Sequence, residues 1–220
     1  IYWVIRAWGE HWTSQLIARG QETNLWNADN IMNLYYEKKN GEKLTPSLVL
    51  VDSGDQTDMV YDFCADTMDY TLPCKGSSKR LETDYKYSVI NKAGSKAAGI
   101  NLVIVDTGKY KDRIASRMRR NNGTGSWMVF RGVDEEYANQ VTAEHKINER
   151  QANGAVTQKW VPKTTHTDNH YLDAEVYAMA AADIRGARIW HQERYVPPKK
   201  KPTEIPKEEQ WIRDNELEGW

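Results

Sequence analysis

Cysteine is nearly absent from this chain: Cys64 and Cys74 are the only two among 220 residues. Two thiols exclude a disulfide framework, and their spacing does not suit a metal site. Free thiols in a reducing compartment are the default expectation, with a 64–74 bridge left open. Phenylalanine is equally scarce, at two residues against nine tryptophans and twelve tyrosines. Rings with a polar tip suit wet interfaces as well as ordinary packing. No apolar run approaches the roughly 18–20 residues of a membrane span, and no signal peptide is visible. An excess of charge of one sign is also missing, since 30 Lys and Arg face 31 Asp and Glu. That balance says little about partners, because it is compatible with a strongly basic face. Finally, no Gly-x-x-x-x-Gly-Lys-Ser/Thr occurs, so ATP hydrolysis is not expected of this segment.

What is present alternates between strand and helix patterns. Residues 1–8, 47–52, 85–90, 100–106, 127–130 and 158–161 read as strands from β-branched, aromatic or continuous apolar content. Residues 25–38, 109–120, 134–143 and 170–188 have helical spacing, and 59–64 fits either state. This order predicts an α/β fold with a mixed sheet. The chain begins at Ile1, directly in a strand pattern, as a fragment of a longer protein would. Four of its seven prolines lie at 197, 198, 202 and 206 beside Lys199, Lys200 and Lys201. The expected division is therefore a folded domain over 1–195 and a stiff linker with an acidic, Trp-ended tail over 196–220.

Three acids carry the functional expectation. Asp52 ends the run Ser47-Leu48-Val49-Leu50-Val51, and Asp106 ends Ile100-Asn101-Leu102-Val103-Ile104-Val105. Asp173 opens the last helix. Two strand ends and a helix start can meet at one sheet edge. Carboxylates gathered there repel unless a cation joins them. Hard oxygen donors favour Mg2+ or Mn2+, and two such ions can activate water against a phosphodiester. Asp58 follows Asp52 by six residues and is a further candidate ligand. His170 precedes Asp173 by three and is a candidate for proton transfer or substrate orientation. Glu144 competes with Asp106 as the middle carboxylate, and Asp106 is preferred because a buried strand places its end predictably. Glu175 lies on another helix face from Asp173, which argues against its being a ligand. Lys109, Lys111, Arg113, Arg117 and Arg120 form a basic helix suited to phosphate contacts, with Arg119 beside them, and Lys75 is a separate candidate. On spacing alone, Ile114 and Met118 turn that helix inward and leave the arginines facing out.

The segment Val51-Asp52-Ser53-Gly54-Asp55-Gln56-Thr57-Asp58-Met59-Val60-Tyr61-Asp62-Phe63-Cys64 resembles the nuclease segment of tailed-phage large terminase subunits of the phage lambda type. Cys74-Lys75-Gly76-Ser77, Val105-Asp106-Thr107-Gly108-Lys109 and Asn169-His170-Tyr171-Leu172-Asp173-Ala174-Glu175-Val176-Tyr177-Ala178 resemble later elements of that family in the same order. The resemblance covers about residues 1–190. It implies an RNase H-like fold and a metal-dependent endonuclease that cuts concatemeric double-stranded DNA in genome packaging. The implied setting is the host cytoplasm. The implied partners are an upstream ATPase motor in the same polypeptide, a small terminase subunit and a portal protein. An RNA–DNA hybrid nuclease, a junction resolvase and a non-catalytic module docking a motor on the portal are the alternatives.

Overall fold

The amino-terminal apolar run forms strand β1 (Tyr2–Trp8), as its β-branched and aromatic content dictates, in a computed structural model that describes residues 1–165 and 167–190. It turns back into an antiparallel partner, β2 (Ser14–Gln21). The turn places His11 and Trp12 at φ 55° and 64°, a conformation that bulky residues rarely adopt. Burial of the Trp12 ring against Trp8, and the Arg117 guanidinium above it, hold the turn.

Helix α1 (Leu25–Met32) is capped by Asn24 and is shorter than the periodicity predicts. Leu34 and Tyr35, within the 25–38 helical spacing, are exposed and outside the helix, and residues 36–37 pass into β3 (Tyr36–Glu37), paired with β4 (Lys43–Leu44). The run ending at Asp52 forms β5 (Val49–Asp52), and 59–64 resolves as part of helix α2 (Thr57–Asp66). Next come β6 (Thr71–Gly76), β7 (Tyr85–Val89) and β8 (Asn101–Val105), then helix α3 (Thr107–Met118). Strand β9 (Trp127–Met128), helix α4 (Glu135–Val141), β10 (Glu144–Arg150), β11 (Val156–Pro162) and helix α5 (His170–Ile184) complete the described order.

Two sheets organise the body. One has the order β1-β2-β9, the other β5-β6-β8-β7. In the second, β5, β6 and β8 run parallel and β7 antiparallel. The expected mixed α/β architecture is therefore present, divided over several sheets. Helices α3 and α5 pack with Cys74, Val103 and Val105 into the largest core cluster, while Leu25 of α1 joins Val60, Phe63 and Cys64 of α2 in another cluster against Val51. Alanines 180 and 182 let α5 approach closely. Cys64 and Cys74 are buried free thiols. Burial pushes the Cys64 thiol up to about 12, which keeps it protonated and unreactive. The tail assigned to 196–220 lies outside the described residues.

Candidate active site

Strand β5 delivers Asp52 at the carboxyl end of a parallel sheet, where open α/β sheets place their ligands. The turn that follows holds the carboxylate still. Its Oδ1 accepts from the Gly54 amide at 2.9 Å, and a Cβ on Gly54 would crowd that oxygen at 3.3 Å. The Tyr177 hydroxyl, from α5, lies near Asp52, and burial with that neighbouring charge raises its pKa and keeps it protonated. Gly76 leaves room for it: a Cβ there would lie 3.6 Å from the Tyr177 hydroxyl and 3.1 Å from Thr107.

One turn before Tyr177 on α5 is Asp173. Burial raises its pKa, and the carboxylates of Glu144 and Asp52 raise it further, against the lowering pull of Lys111. The Lys111 ammonium, reaching across from α3, lies 2.7 Å from Glu144 Oε1 and 3.4 Å from Asp173 Oδ1. Asn169 donates to the same Glu144 oxygen at 2.8 Å. Thus Lys111 bridges Glu144 and Asp173, and Asp52 acts on Asp173 through its charge.

Asp106 stands apart from this group. It is buried and caps α3, accepting from the Lys109 amide at 3.1 Å and the Leu81 amide at 2.9 Å. A strand end that is also a helix start uses Asp for backbone donors, which explains its position without chemistry. Asp58 is exposed and ion-paired with Lys92. His170 opens α5, exposed and stacked on Tyr2 with ring centroids 4.6 Å apart. Glu175 points into the protein interior, as its offset from Asp173 predicts.

The basic helix is less open than its spacing suggests. The Lys109 ammonium is held by the carbonyls of Leu81, Glu82 and Thr83 at 2.7–3.0 Å. Arg113 pairs with Asp84 at 2.8 Å, and Lys111 belongs to the acidic group. Arg117 is half-buried over Trp12, and burial together with Arg120 and Arg113 lowers its pKa to about 10. Arg120 and Lys75 are exposed. On β6, Lys75 projects to the face opposite Cys74.

Two hollows adjoin the acids. A cleft of about 600 Å³ runs between β1 and β5, with Asp52, His170 and Asp173 on its wall. A groove of about 620 Å³ lies between α3 and the base of the β10–β11 pair, lined by Lys111, Glu144, Arg119, Lys146 and Lys163. Among the described residues, no three His, Cys, Asp or Glu side chains form a group that could hold a metal ion. The donor chemistry nevertheless suits a hard cation. Asp52 and Asp173 are oxygen donors on the wall of one cleft, and burial disfavours the Asp173 charge despite Lys111.

An α/β domain with paired acids at the carboxyl end of its parallel strands, a buried lysine among them and a basic groove alongside has the parts of a phosphodiester-processing site. The chain belongs to the family of the terminase large subunit gpA endonuclease domain, whose model matches residues 1–194. No curated protein and no solved structure gives a match. Family membership supports a nuclease role in packaging, with DNA as substrate. No helix among the described residues is long and apolar enough to cross a membrane.

Proposed function

We propose that this chain is a divalent-metal-dependent endonuclease domain that cuts concatemeric double-stranded DNA for a viral packaging motor. The observation that carries the reading is the convergence of Glu144 and Asp173 on Lys111, with Asp52 on the same cleft wall as Asp173, in a chain of the endonuclease family. Asp52 and Asp173 would hold Mg2+ or Mn2+. Such ions commonly take one or two protein carboxylates and complete their shell with water and substrate phosphate. A second ion, as in two-metal hydrolysis, would accordingly draw most of its ligands from the DNA. When bound, the metal supplies Lewis acidity and a more acidic water.

The chain's own residues do the rest. The Gly54 amide holds one oxygen of Asp52, and the protonated Tyr177 hydroxyl stands beside it. Lys111 keeps Glu144 and Asp173 from repelling each other before DNA arrives, and presents positive charge toward a phosphate. Asn169 orients Glu144. His170, exposed on the cleft wall and stacked on Tyr2, would meet the substrate. Arg119, Lys146 and Lys163 offer backbone contacts along the groove.

The fold reading follows the same logic. Strands run β9-β2-β1, then a cleft, then β5-β6-β8-β7. We read this as an RNase H-like sheet opened at its centre, with α5 packed across both halves. Partnership with an ATPase motor, a small subunit and a portal, and a host-cytoplasmic setting, belong to the same proposal.

Plasmid cleavage in Mn2+ tests it. The unaltered chain should nick or linearise DNA and stop in chelator. Asp52→Asn and Glu144→Gln should each lower cleavage at least about a hundredfold while melting near the parent temperature. Undiminished cutting by Asp52→Asn would overturn the site. Preferential cutting of a hybrid or a four-way junction would replace the substrate.

A further inference from the structure

The β10–β11 pair is built unlike the rest of the molecule. Its seven residue pairs, Glu144↔Pro162 to Arg150↔Val156, form a two-stranded sheet joined to no other strand among those described. Nearly every position from His145 to Lys159 is exposed. At the base it is clamped to α3: Lys146 pairs with Asp112 at 2.7 Å, and the Trp160 indole donates to Asp112 at 3.0 Å. A hairpin with no buried face gains little from its own packing. Its length needs another explanation.

Register supplies one. Directly opposed residues share a face, and alternate residues along a strand do too. The face that begins with Glu144 therefore continues as Lys146, Asn148 and Arg150 on one strand, with Pro162, Trp160, Gln158 and Val156 opposite. Beyond the clamped base, its polar groups are an amide pair, Gln158 donating to Asn148 at 3.1 Å, and Arg150 at the tip. Asn, Gln and Arg are the side chains that match base edges in pairs. The other face carries His145, Ile147, Glu149, Thr157, Lys159 and Val161, where Lys159 and Glu149 neutralise each other at 3.0 Å.

We infer that β10–β11 is a DNA-reading ribbon that enters the major groove of the duplex being cut and sets where the phosphodiester lies over Glu144. The inference deepens the nuclease reading and rests on it. Size and charge favour duplex DNA as the occupant. The major groove is about 12 Å wide and admits a two-stranded ribbon. Six residues of strand carry the face about 20 Å from Glu144 to Arg150, or about six base pairs at roughly 3.4 Å each. Residues 144–163 hold Lys146, Arg150, Lys159 and Lys163 against Glu144 and Glu149, a net charge of +2. The basic groove at the ribbon's base leads directly to the acidic group.

The test compares the full chain with Asn148→Ala/Arg150→Ala/Gln158→Ala, and with a second variant in which 148–158 is replaced by an Asn-Gly turn. Anisotropy is read in chelator on a 30-base-pair duplex and on a single strand of equal length, with melting curves as a check on folding. Both variants should bind duplex about tenfold more weakly and single strand within about twofold of the parent. Unchanged duplex affinity, or an equal loss on both DNAs, overturns the ribbon, the latter because it marks charge alone. Parent cleavage in Mn2+ separates the two readings. A parent that never cuts, with the duplex-selective loss intact, overturns the enzyme and keeps the ribbon. A parent that cuts, with unchanged duplex affinity in the variants, does the reverse.

Discussion

Asp173 and Glu175 sit two residues apart on one helix and live in opposite electrostatic worlds. The Glu175 side chain is fully buried, and its charge is completely answered. Arg6 donates to both of its oxygens at 2.7 and 2.8 Å, and the Tyr137 hydroxyl adds a third bond at 2.5 Å. Arg6 in turn reaches Ser14 and the Met128 carbonyl and lies over the Trp127 ring at 3.7 Å. That network ties β1, β2, β9 and α4 to α5 and leaves nothing over for a ligand. Asp173, with 39 % of its side chain exposed, has one cation at 3.4 Å shared with Glu144. A closed carboxylate holds a structure together. An open one, held among its own kind, is available for chemistry.

The comparison breaks most visibly at its two members. Glu175→Ala leaves Arg6 buried without a counter-charge, which should cost about 3–5 kcal/mol and lower Tm by roughly 6–20 °C. Asp173→Ala removes a charge its surroundings disfavour, so it should melt close to the parent while cleavage falls at least about a hundredfold. Calorimetry beside a plasmid assay reads both. Equal melting losses in the two variants would erase the distinction.

A second closed site sharpens it on the pH axis. Asp84 is half-buried beside α3, where burial alone would raise its pKa. Hydrogen bonds and charge from Arg113 and Arg188 outweigh that and hold it below the ordinary carboxylate value. With a depressed folded value, its stabilisation is present above the ordinary carboxylate range and is lost as pH falls through the folded value. Asp84→Asn should therefore cost about 1.5–3 kcal/mol near pH 7, and the gap to the parent should narrow below about pH 4. Urea melts at the two pH values measure it. A gap independent of pH would mean that charge is not what Asp84 contributes.

The sequence made the closed and open sites legible to different degrees. Asp52 could be read because β5 is a short apolar run ending in an acid, and Asp173 because it opens a long alanine-rich helix. Helical spacing groups Lys111 with a DNA-facing basic surface. Spacing on α3 identifies Ile114 as buried but is blind to neighbours beside the helix, and Glu144 and Asp173 draw Lys111 inward. Strand β6 was hidden by Pro73, which argues against an interior strand although β6 lies between β5 and β8. Strand β10 was hidden for the opposite reason. A ribbon polar on both faces writes no alternation of hydrophobicity, so Glu144 at its base had no strand end to mark it.

Asp106 gives the finest contrast, because the same rule selected it and Asp52. Both end parallel strands, yet Asp52 faces the cleft and Asp106 spends its oxygens on the amides of Lys109 and Leu81. Asparagine caps helices about as well as aspartate, and its carbonyl can keep one of those bonds. The other amide then faces an Nδ2 donor, so Asp106→Asn should cost about 1–3 kcal/mol, a Tm loss of roughly 2–12 °C, and leave cleavage below that Tm within about twofold of the parent. The same change at Asp52 removes an exposed charge and should barely move Tm. The two substitutions are chemically identical, so helix propensity and side-chain size cancel between them. Only the role of the negative charge differs. Loss of cleavage in Asp106→Asn without loss of stability would return Asp106 to the catalytic group and displace Glu144 from it.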